Sequence, residues 1–171
     1  HPQKNHIFLF KLLNKLKKRK INNWKLVLAG RNINTKNISL LNLIKKYQIF
    51  DNCILLDERK RLNKIYNICD ITVCTSLYGE GFQNVIAESM LSKVPVVSLD
   101  IGDAEYILDK VEDVIPINDE NKMIELIAKY YNSFFGHKEF INHKRFLSRN
   151  KVISNFSIEN MISKYEKVWS K

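Results

Sequence analysis

The chain has 171 residues, 45% of them hydrophobic, which suits one globular domain with its own core. Apolar runs such as 7–10 and 54–56 fall far short of the ~20 residues that span a bilayer, so we predict a soluble domain. The net charge of +10 favours an anionic partner, whether nucleic acid, a membrane surface or a phosphorylated small molecule.

Short apolar runs alternate with segments of helical periodicity along the first two thirds of the chain. The predicted strands cover 24–29, 53–56, 71–74, 95–99 and 114–117, and the predicted helices cover 5–18, 38–44, 62–68, 82–92 and 104–108. Strands that are apolar throughout are buried on both faces, and their alternation with helices indicates a parallel sheet with right-handed crossovers. We therefore predict a Rossmann-like, doubly wound α/β domain.

From residue 119 onward the pattern is helical only. The predicted helices cover 123–134, 138–150 and 158–169, and Ser157 is placed to cap the last of them. Apolar residues of this last helix recur at a spacing of three to four, from Ile158 to Val168. A cluster of cations over 15–20 ends the first helix, where it complements the helix dipole and forms a solvated face.

Three cysteines, Cys53, Cys69 and Cys74, lie inside apolar runs without Cys-x-x-Cys spacing. That pattern argues against a disulfide framework and against a zinc site. We predict core cysteines in a reducing cytoplasm and no bound metal.

The loop after the strand at 71–74 carries the strongest chemical signal. Its glycines, Gly79 and Gly81, permit unusual backbone angles, and the following helix begins with free N–H groups near 82–85. A phosphate bound there would receive backbone hydrogen bonds and face the positive end of the helix dipole. Glu80 and Glu88 would flank it, and carboxylates are natural acceptors for the hydroxyls of a ribose or hexose.

A longer string contains this loop. Glu80-Gly81-Phe82, Asn84-Val85, Glu88, Met90, Pro95-Val96-Val97, Asp100, Gly102 and Glu105 together resemble the signature of glycosyltransferase family 4, a retaining family of GT-B fold. Residues 24–30 are similar to the family's strand before the nucleotide loop, and 66–73 to the stretch that leads into the active site. Residues 1–6 are similar to the end of its phosphate-binding segment, in which Lys4 matches a lysine.

The resemblance implies one half of a GT-B fold, with 1–171 as the C-terminal donor-binding domain and the N-terminal acceptor domain absent. It implies that Glu80 stabilises charge at the anomeric carbon and that Lys4 neutralises the diphosphate without a metal ion or other cofactor. Glu88 would hold the ribose. The further donor-binding residues that it implies are Gly30, Arg31, Arg59, Gly81, Phe82, Gln83, Asn84 and Val85.

Three features leave alternatives open. Arg59 and Lys60 are also typical of the start of a solvated helix, and Asp103 and Glu105 of acids at a helix N-terminus. Gln83 stands where the family frequently has a second glycine, so the donor preference stays undefined.

Taken together, the resemblance implies transfer of a hexose from a UDP- or GDP-sugar to a saccharide or lipid-linked acceptor, in bacterial surface polysaccharide synthesis. We expect a cytoplasmic protein, peripheral at the inner membrane face, that does not bind nucleic acid and is inactive as an isolated domain. The alternative is a non-catalytic domain that binds a nucleotide or polyanion. A dehydrogenase domain is set aside because 30–35 lack the Gly-x-Gly-x-x-Gly loop.

Overall fold

A computed structural model describes residues 1–108 and 113–170. Five short strands are present: β1 (Leu26–Leu28), β2 (Cys53–Leu55), β3 (Thr72–Cys74), β4 (Val96–Leu99) and β5 (Val114–Ile115). The helices are α1 (His6–Lys18), α2 (Ile38–Lys46), α3 (Leu62–Tyr66), α4 (Asn84–Leu91), α5 (Ala104–Leu108), α6 (Glu120–Gly136), α7 (Lys138–Asn155) and α8 (Ile158–Trp169). Two 3-10 turns, Pro2–Lys4 and Phe50–Asn52, precede α1 and β2.

All strand pairings among the described residues are parallel. β1 pairs with β2, with Val27 opposite Ile54, and β4 pairs with β3 on one side and β5 on the other. This confirms the predicted α/β class with parallel strands flanked by helices. The hydrogen bonds, however, divide the strands into a two-stranded and a three-stranded sheet, where the sequence suggested a single sheet.

One apolar core joins the two sheets. Leu26 and Leu28 of β1 pack against the same cluster that contains Val97 and Leu99 of β4, together with buried residues of α1 and α6. All four residues of β4 are buried, so this strand lies at the centre of the fold. Ile54 of β2 is 41% exposed, as expected for a strand near the rim.

Helix boundaries follow local capping chemistry. Ser157 accepts a hydrogen bond from the backbone N–H of Asn160, which confirms it as the cap of α8, and Asn37 and Asp119 cap α2 and α6 in the same way. α4 begins at Asn84, two residues later than predicted. Gln83 has an extended backbone, with φ −80° and ψ 95°, so the helix starts only after it.

α8 stands apart from this core. None of its residues is buried, and its apolar residues are 47% to 80% exposed. No described helix combines the length and apolar character needed to cross a membrane.

The cysteines are free thiols, of which Cys74 is buried and Cys53 and Cys69 are half-buried. Burial raises the pKa of Cys74 to about 12 and that of Cys53 to about 11, so both remain protonated at neutral pH.

Candidate functional site

Lys4 and Glu80 meet at the carboxyl end of β3, although 76 positions separate them in sequence. The Lys4 ammonium donates to Glu80 Oε1 over 2.6 Å. The Glu80 side chain is only 14% exposed, whereas that of Lys4 is 53% exposed. The carboxylate is therefore sheltered, and the ammonium lies at the surface where a ligand can reach it.

Backbone hydrogen bonds hold this pair in place. The N–H of Leu77 donates to the carbonyl of Gln3 over 2.9 Å, and the Thr75 hydroxyl donates to the carbonyl of Lys4 over 3.0 Å. Gln3 Nε2 also donates to the carbonyl of Gly79. The segment before α1 is thus attached to the loop after β3 on both sides of the ion pair.

Opposing effects act on the pKa of Glu80. Partial burial raises it, but hydrogen bonds from Lys4 and Ser76 and the charge of Lys4 lower it more, so the pKa lies below its ordinary value. Glu80 is consequently an anion at neutral pH.

The two glycines of the loop differ in backbone conformation. Gly79 has φ +69°, the left-handed region that favours glycine, and a Cβ there would lie 3.1 Å from Gln3 Nε2. Gly81 has no such φ, and no atom lies within 4 Å of where its Cβ would be. The unusual backbone angle predicted from the sequence is therefore found at Gly79, while Gly81 borders open space.

The loop after β4 is hydrogen-bonded to the loop after β3. Gln83 Nε2 donates to the carbonyl of Ile101 over 2.6 Å, and the N–H of Asp103 donates to the carbonyl of Gly81. Gly102 has φ +58°, and a Cβ there would lie 2.5 Å from the carbonyl oxygen of Glu80. Only glycine fits this close approach. We name the joined loops 75–83 and 100–103 the β3–β4 cluster.

The helix that follows presents an uncapped N-terminus. Gln83 is the N-cap residue of α4 but makes no side-chain hydrogen bond to the helix, so the first N–H groups, including those of Asn84 and Val85, lack an intrahelical acceptor. Phe82, Asn84 and Val85 are exposed. Such a helix start suits an anion.

Glu88 lies one turn further along α4 and is exposed. Its Oε2 accepts a hydrogen bond from the hydroxyl of Tyr66 over 3.0 Å. Burial and this bond raise the pKa of Tyr66, so the hydroxyl stays protonated and keeps donating. The sequence alone did not indicate Tyr66 as the residue that orients Glu88.

A second pair of loops meets at the carboxyl ends of β1 and β2. Asp57 accepts from the N–H of Asn32 and from Asn34 Nδ2, and its own carbonyl accepts from the N–H of Gly30. The hydrogen bond from Asn34 is the largest of several effects that lower the pKa of Asp57. We name the loops 30–34 and 57–59 the β1–β2 cluster.

The cations of the β1–β2 cluster are exposed. Arg31 lies 3.9 Å from Glu58, with both side chains largely in solvent, and Arg59 lies three positions before the start of α3. The structure thus brings Lys4, Glu80 and the start of α4 together, and holds Gly30, Arg31 and Arg59 in a separate group.

Among residues 1–108 and 113–170, no three His, Cys, Asp or Glu side chains are arranged to hold a metal ion.

This architecture is that of the C-terminal domain of GT-B glycosyltransferases. A glycosyltransferase from Rickettsia africae ESF-5 superposes with TM-score 0.83 at 22% identity, over 98% of this chain and 44% of its own. S. aureus TarM, crystallised with UDP among other ligands, gives 0.81 at 22% identity, over 100% of this chain and 34% of its own. Anabaena HepE in complex with UDP and glucose gives 0.80 at 17% identity, over 99% and 46%.

The family follows from the sequence match. Residues 1–133 match the family described as Glycosyl transferases group 1, and the chain belongs to this family. No curated protein matches the chain. The chain spans less than half the length of the three solved structures that it resembles.

Proposed function

We propose that this chain binds the nucleotide-sugar donor of a retaining glycosyltransferase of family 4. The complete enzyme would transfer a hexose from a UDP- or GDP-sugar to a saccharide or lipid-linked acceptor, in bacterial surface polysaccharide synthesis on the cytoplasmic side of the membrane. The observation that carries the proposal is the 2.6 Å ion pair between Lys4, in the turn before α1, and Glu80, in the loop that leads to the uncapped start of α4.

The departing diphosphate is the group that most needs stabilisation. Negative charge grows on it as the glycosidic bond breaks, and donors fixed beforehand are the most effective partners for such charge. The Lys4 ammonium and the N–H groups of Asn84 and Val85 are donors of this kind. The ammonium carries three hydrogens, so it can serve the diphosphate and keep its bond to Glu80. We therefore expect no metal ion or other cofactor to be required.

Glu80 is suited to a complementary task. Positive charge develops at the anomeric carbon, and a sheltered carboxylate that remains ionised stabilises it. Partial burial strengthens this effect, because less water screens the charge. Glu80 would thus stabilise the positive charge on the sugar fragment of the donor, and Lys4 would stabilise the negative charge on the diphosphate fragment.

Glu88 is assigned to the ribose. The Tyr66 hydroxyl occupies Oε2 and fixes the carboxylate on the α4 surface, and Oε1 is the acceptor that we assign to a ribose hydroxyl. We assign Gly30 and the exposed cations Arg31 and Arg59 to the nucleoside end of the donor. We assign Gly81, Phe82 and Gln83 to its pyrophosphate and sugar.

Thermal shift with UDP or GDP tests the nucleotide site. Either nucleotide at millimolar concentration should raise the Tm of the parent chain, because a ligand that binds only the folded state stabilises it. Glu88→Ala should abolish the shift without unfolding the unliganded protein, whose Tm falls only by the loss of the hydrogen bond from Tyr66. Glu125→Ala, which removes an exposed carboxylate on α6, serves as the matched control.

Equal shifts in Glu88→Ala and the parent would refute the ribose assignment. A Tm increase with single-stranded nucleic acid of equal phosphate content, matching that with UDP, would favour the polyanion-binding alternative instead.

The second test concerns the acceptor. In our proposal the acceptor is bound by an N-terminal domain, so residues 1–171 alone should transfer no sugar. Positioning two reactants together is worth about 7–11 kcal/mol of barrier, which the isolated domain would forgo. Assay of this chain and a longer chain that includes the acceptor domain, with anomeric NMR of the product, should show transfer with retention by the longer chain only. Transfer by the short chain, or an inverted product, would contradict the proposal.

A further inference from the structure

A second concave surface lies between α3, the end of α4 and α7. It is a pocket of about 520 Å³ to which α7 contributes Asn142, Arg145 and Phe146. Asn67 and Lys93 line it from the segments that follow α3 and α4. Lys4, Glu80 and residues 81–85 are not among its lining residues, so it lies outside the part of the candidate donor site that these residues form.

Two cations face this pocket without an acidic partner. None of the described residues that line it is acidic, and no described side chain forms an ion pair with Lys93 or Arg145. The Arg145 guanidinium lies over the ring of Phe134, 5.6 Å from its centroid, and Nε is buried without a hydrogen-bond partner. Both side chains line the same pocket, so an anion bound there would interact with two positive charges.

The backbone at Lys93 makes this residue suitable for a substitution test. Lys93 has φ +61° at the position after the C-cap of α4, where glycine is the residue that fits most readily. The N–H of Val94 donates to the carbonyl of Ser89 and closes the turn. Lys20 after α1 and Gln48 after α2 have the same positive φ, so this conformation follows from how these helices end. Lys93→Gly therefore removes the charge without straining the backbone.

The remaining wall is suited to the rest of a ligand. Asn67 and Asn142 supply amide donors, and the exposed ring of Phe146 supplies an apolar surface. Tyr66 also lines the pocket while its hydroxyl holds Glu88. One side chain thus borders both the pocket and the candidate ribose carboxylate.

We propose that this pocket binds a phosphate group, carried by a small soluble molecule or by a lipid headgroup. The planar guanidinium of Arg145 matches phosphate geometry, and the ammonium of Lys93 adds a point charge. The amides of Asn67 and Asn142 complete the set of donors. This binding site does not depend on the nucleotide assignment made for α4.

Residue-resolved NMR titration with inorganic phosphate and with glycerol phosphate, at constant ionic strength set with chloride, tests the proposal. We expect saturable shifts of the amide signals of 67, 93 and 142–146. Lys93→Gly should weaken this binding at least fivefold while leaving the Tm unchanged or higher, since glycine fits the backbone better.

Lys20→Gly is the matched control. Lys20 also has a positive φ, +64°, in the turn that ends α1, and it does not line the pocket. The substitution makes the same change in backbone freedom and net charge, so it should leave phosphate binding at 142–146 intact. Arg145→Gln, if folded by its NMR spectrum, should abolish the binding.

NMR signal shifts confined to residues 81–85 would overturn the proposal, and so would an equal weakening of phosphate binding by Lys93→Gly and Lys20→Gly. A failure of the chain to bind nucleotide would not, because it concerns the candidate donor site only. Co-sedimentation with phosphatidylglycerol vesicles, compared with phosphatidylcholine vesicles, identifies the source. If the chain sediments with phosphatidylglycerol vesicles and Lys93→Gly reduces this, the phosphate belongs to a lipid headgroup. If the chain binds glycerol phosphate but does not sediment with the vesicles, the ligand is a soluble molecule.

Discussion

The β3–β4 cluster and the β1–β2 cluster lie at the carboxyl ends of neighbouring strands but are held together differently. In the β3–β4 cluster, backbone approaches backbone at Gly102, and Gln83 ties one loop to the next. In the β1–β2 cluster, a single side chain, Asp57, joins the two loops by accepting hydrogen bonds from Asn32 and Asn34. The first arrangement holds a sheltered ion pair, whereas the second presents exposed cations.

The difference has a consequence for chemistry. Charges that stabilise a transition state must be fixed before the reaction, and close backbone packing fixes them. The exposed arginines Arg31 and Arg59 can change conformation to fit a ligand at little cost in free energy. We therefore assign the reacting end of the donor to the β3–β4 cluster and the nucleoside end to the β1–β2 cluster.

Gly102→Ala, which disrupts the backbone packing of the β3–β4 cluster, should have the largest effect of the substitutions that compare the two clusters. The new Cβ would meet the Glu80 carbonyl at 2.5 Å and would stand at a positive φ, so the two loops must separate. We expect the free energy of unfolding to fall by about 2–3 kcal/mol, measured by urea denaturation. Nucleotide protection should be lost as well.

Gly81→Ala is the control for Gly102→Ala. No atom lies within 4 Å of its added Cβ and its φ is not positive, so stability should change little. A stability loss as large as that of Gly102→Ala would show that the loop tolerates no side chain for a reason other than this close approach.

Asp57→Asn tests the β1–β2 cluster and should have an intermediate effect. The amide cannot accept from both Asn32 and Asn34, so the loop 30–34 should open. Hydrogen exchange should accelerate at 32–34, and UDP should bind more weakly, with Glu80 and its neighbours unaffected. Glu58→Gln removes the same charge from an exposed pair and should change neither measurement.

Lys4→Gln should have the smallest effect on stability, about 0–1 kcal/mol, because the lysine is half exposed. The folded pKa of Glu80 lies below the ordinary value of 4.5, so the ion pair stabilises the fold above that pH and the contribution disappears as pH falls through the folded pKa. The Tm difference between parent and Lys4→Gln should therefore be present at pH 7 and vanish at acidic pH. Lys36→Gln, at another exposed lysine, should show no such pH dependence.

Sequence patterns alone predicted the order and type of the elements. Apolar strands and helical periodicity are local, and so are caps such as that at Ser157, which the structure confirms. The same patterns predicted a stripe on α8 that the structure leaves exposed. The start of α4 was less well predicted: Gln83 has an extended backbone and its side chain bonds to the carbonyl of Ile101, so the helix begins at Asn84.

The sequence by itself determined the α/β class, because apolar strands that alternate with helices are a local pattern. Its resemblance to a known family pointed to Lys4, Glu80 and Glu88 as candidate site residues. Only the tertiary structure decided that Lys4 reaches Glu80, that Tyr66 holds Glu88 and that Gly102 must be glycine. Each of these contacts joins separate strand–helix units. Their distances depend on how the units pack, which no local pattern of residues encodes.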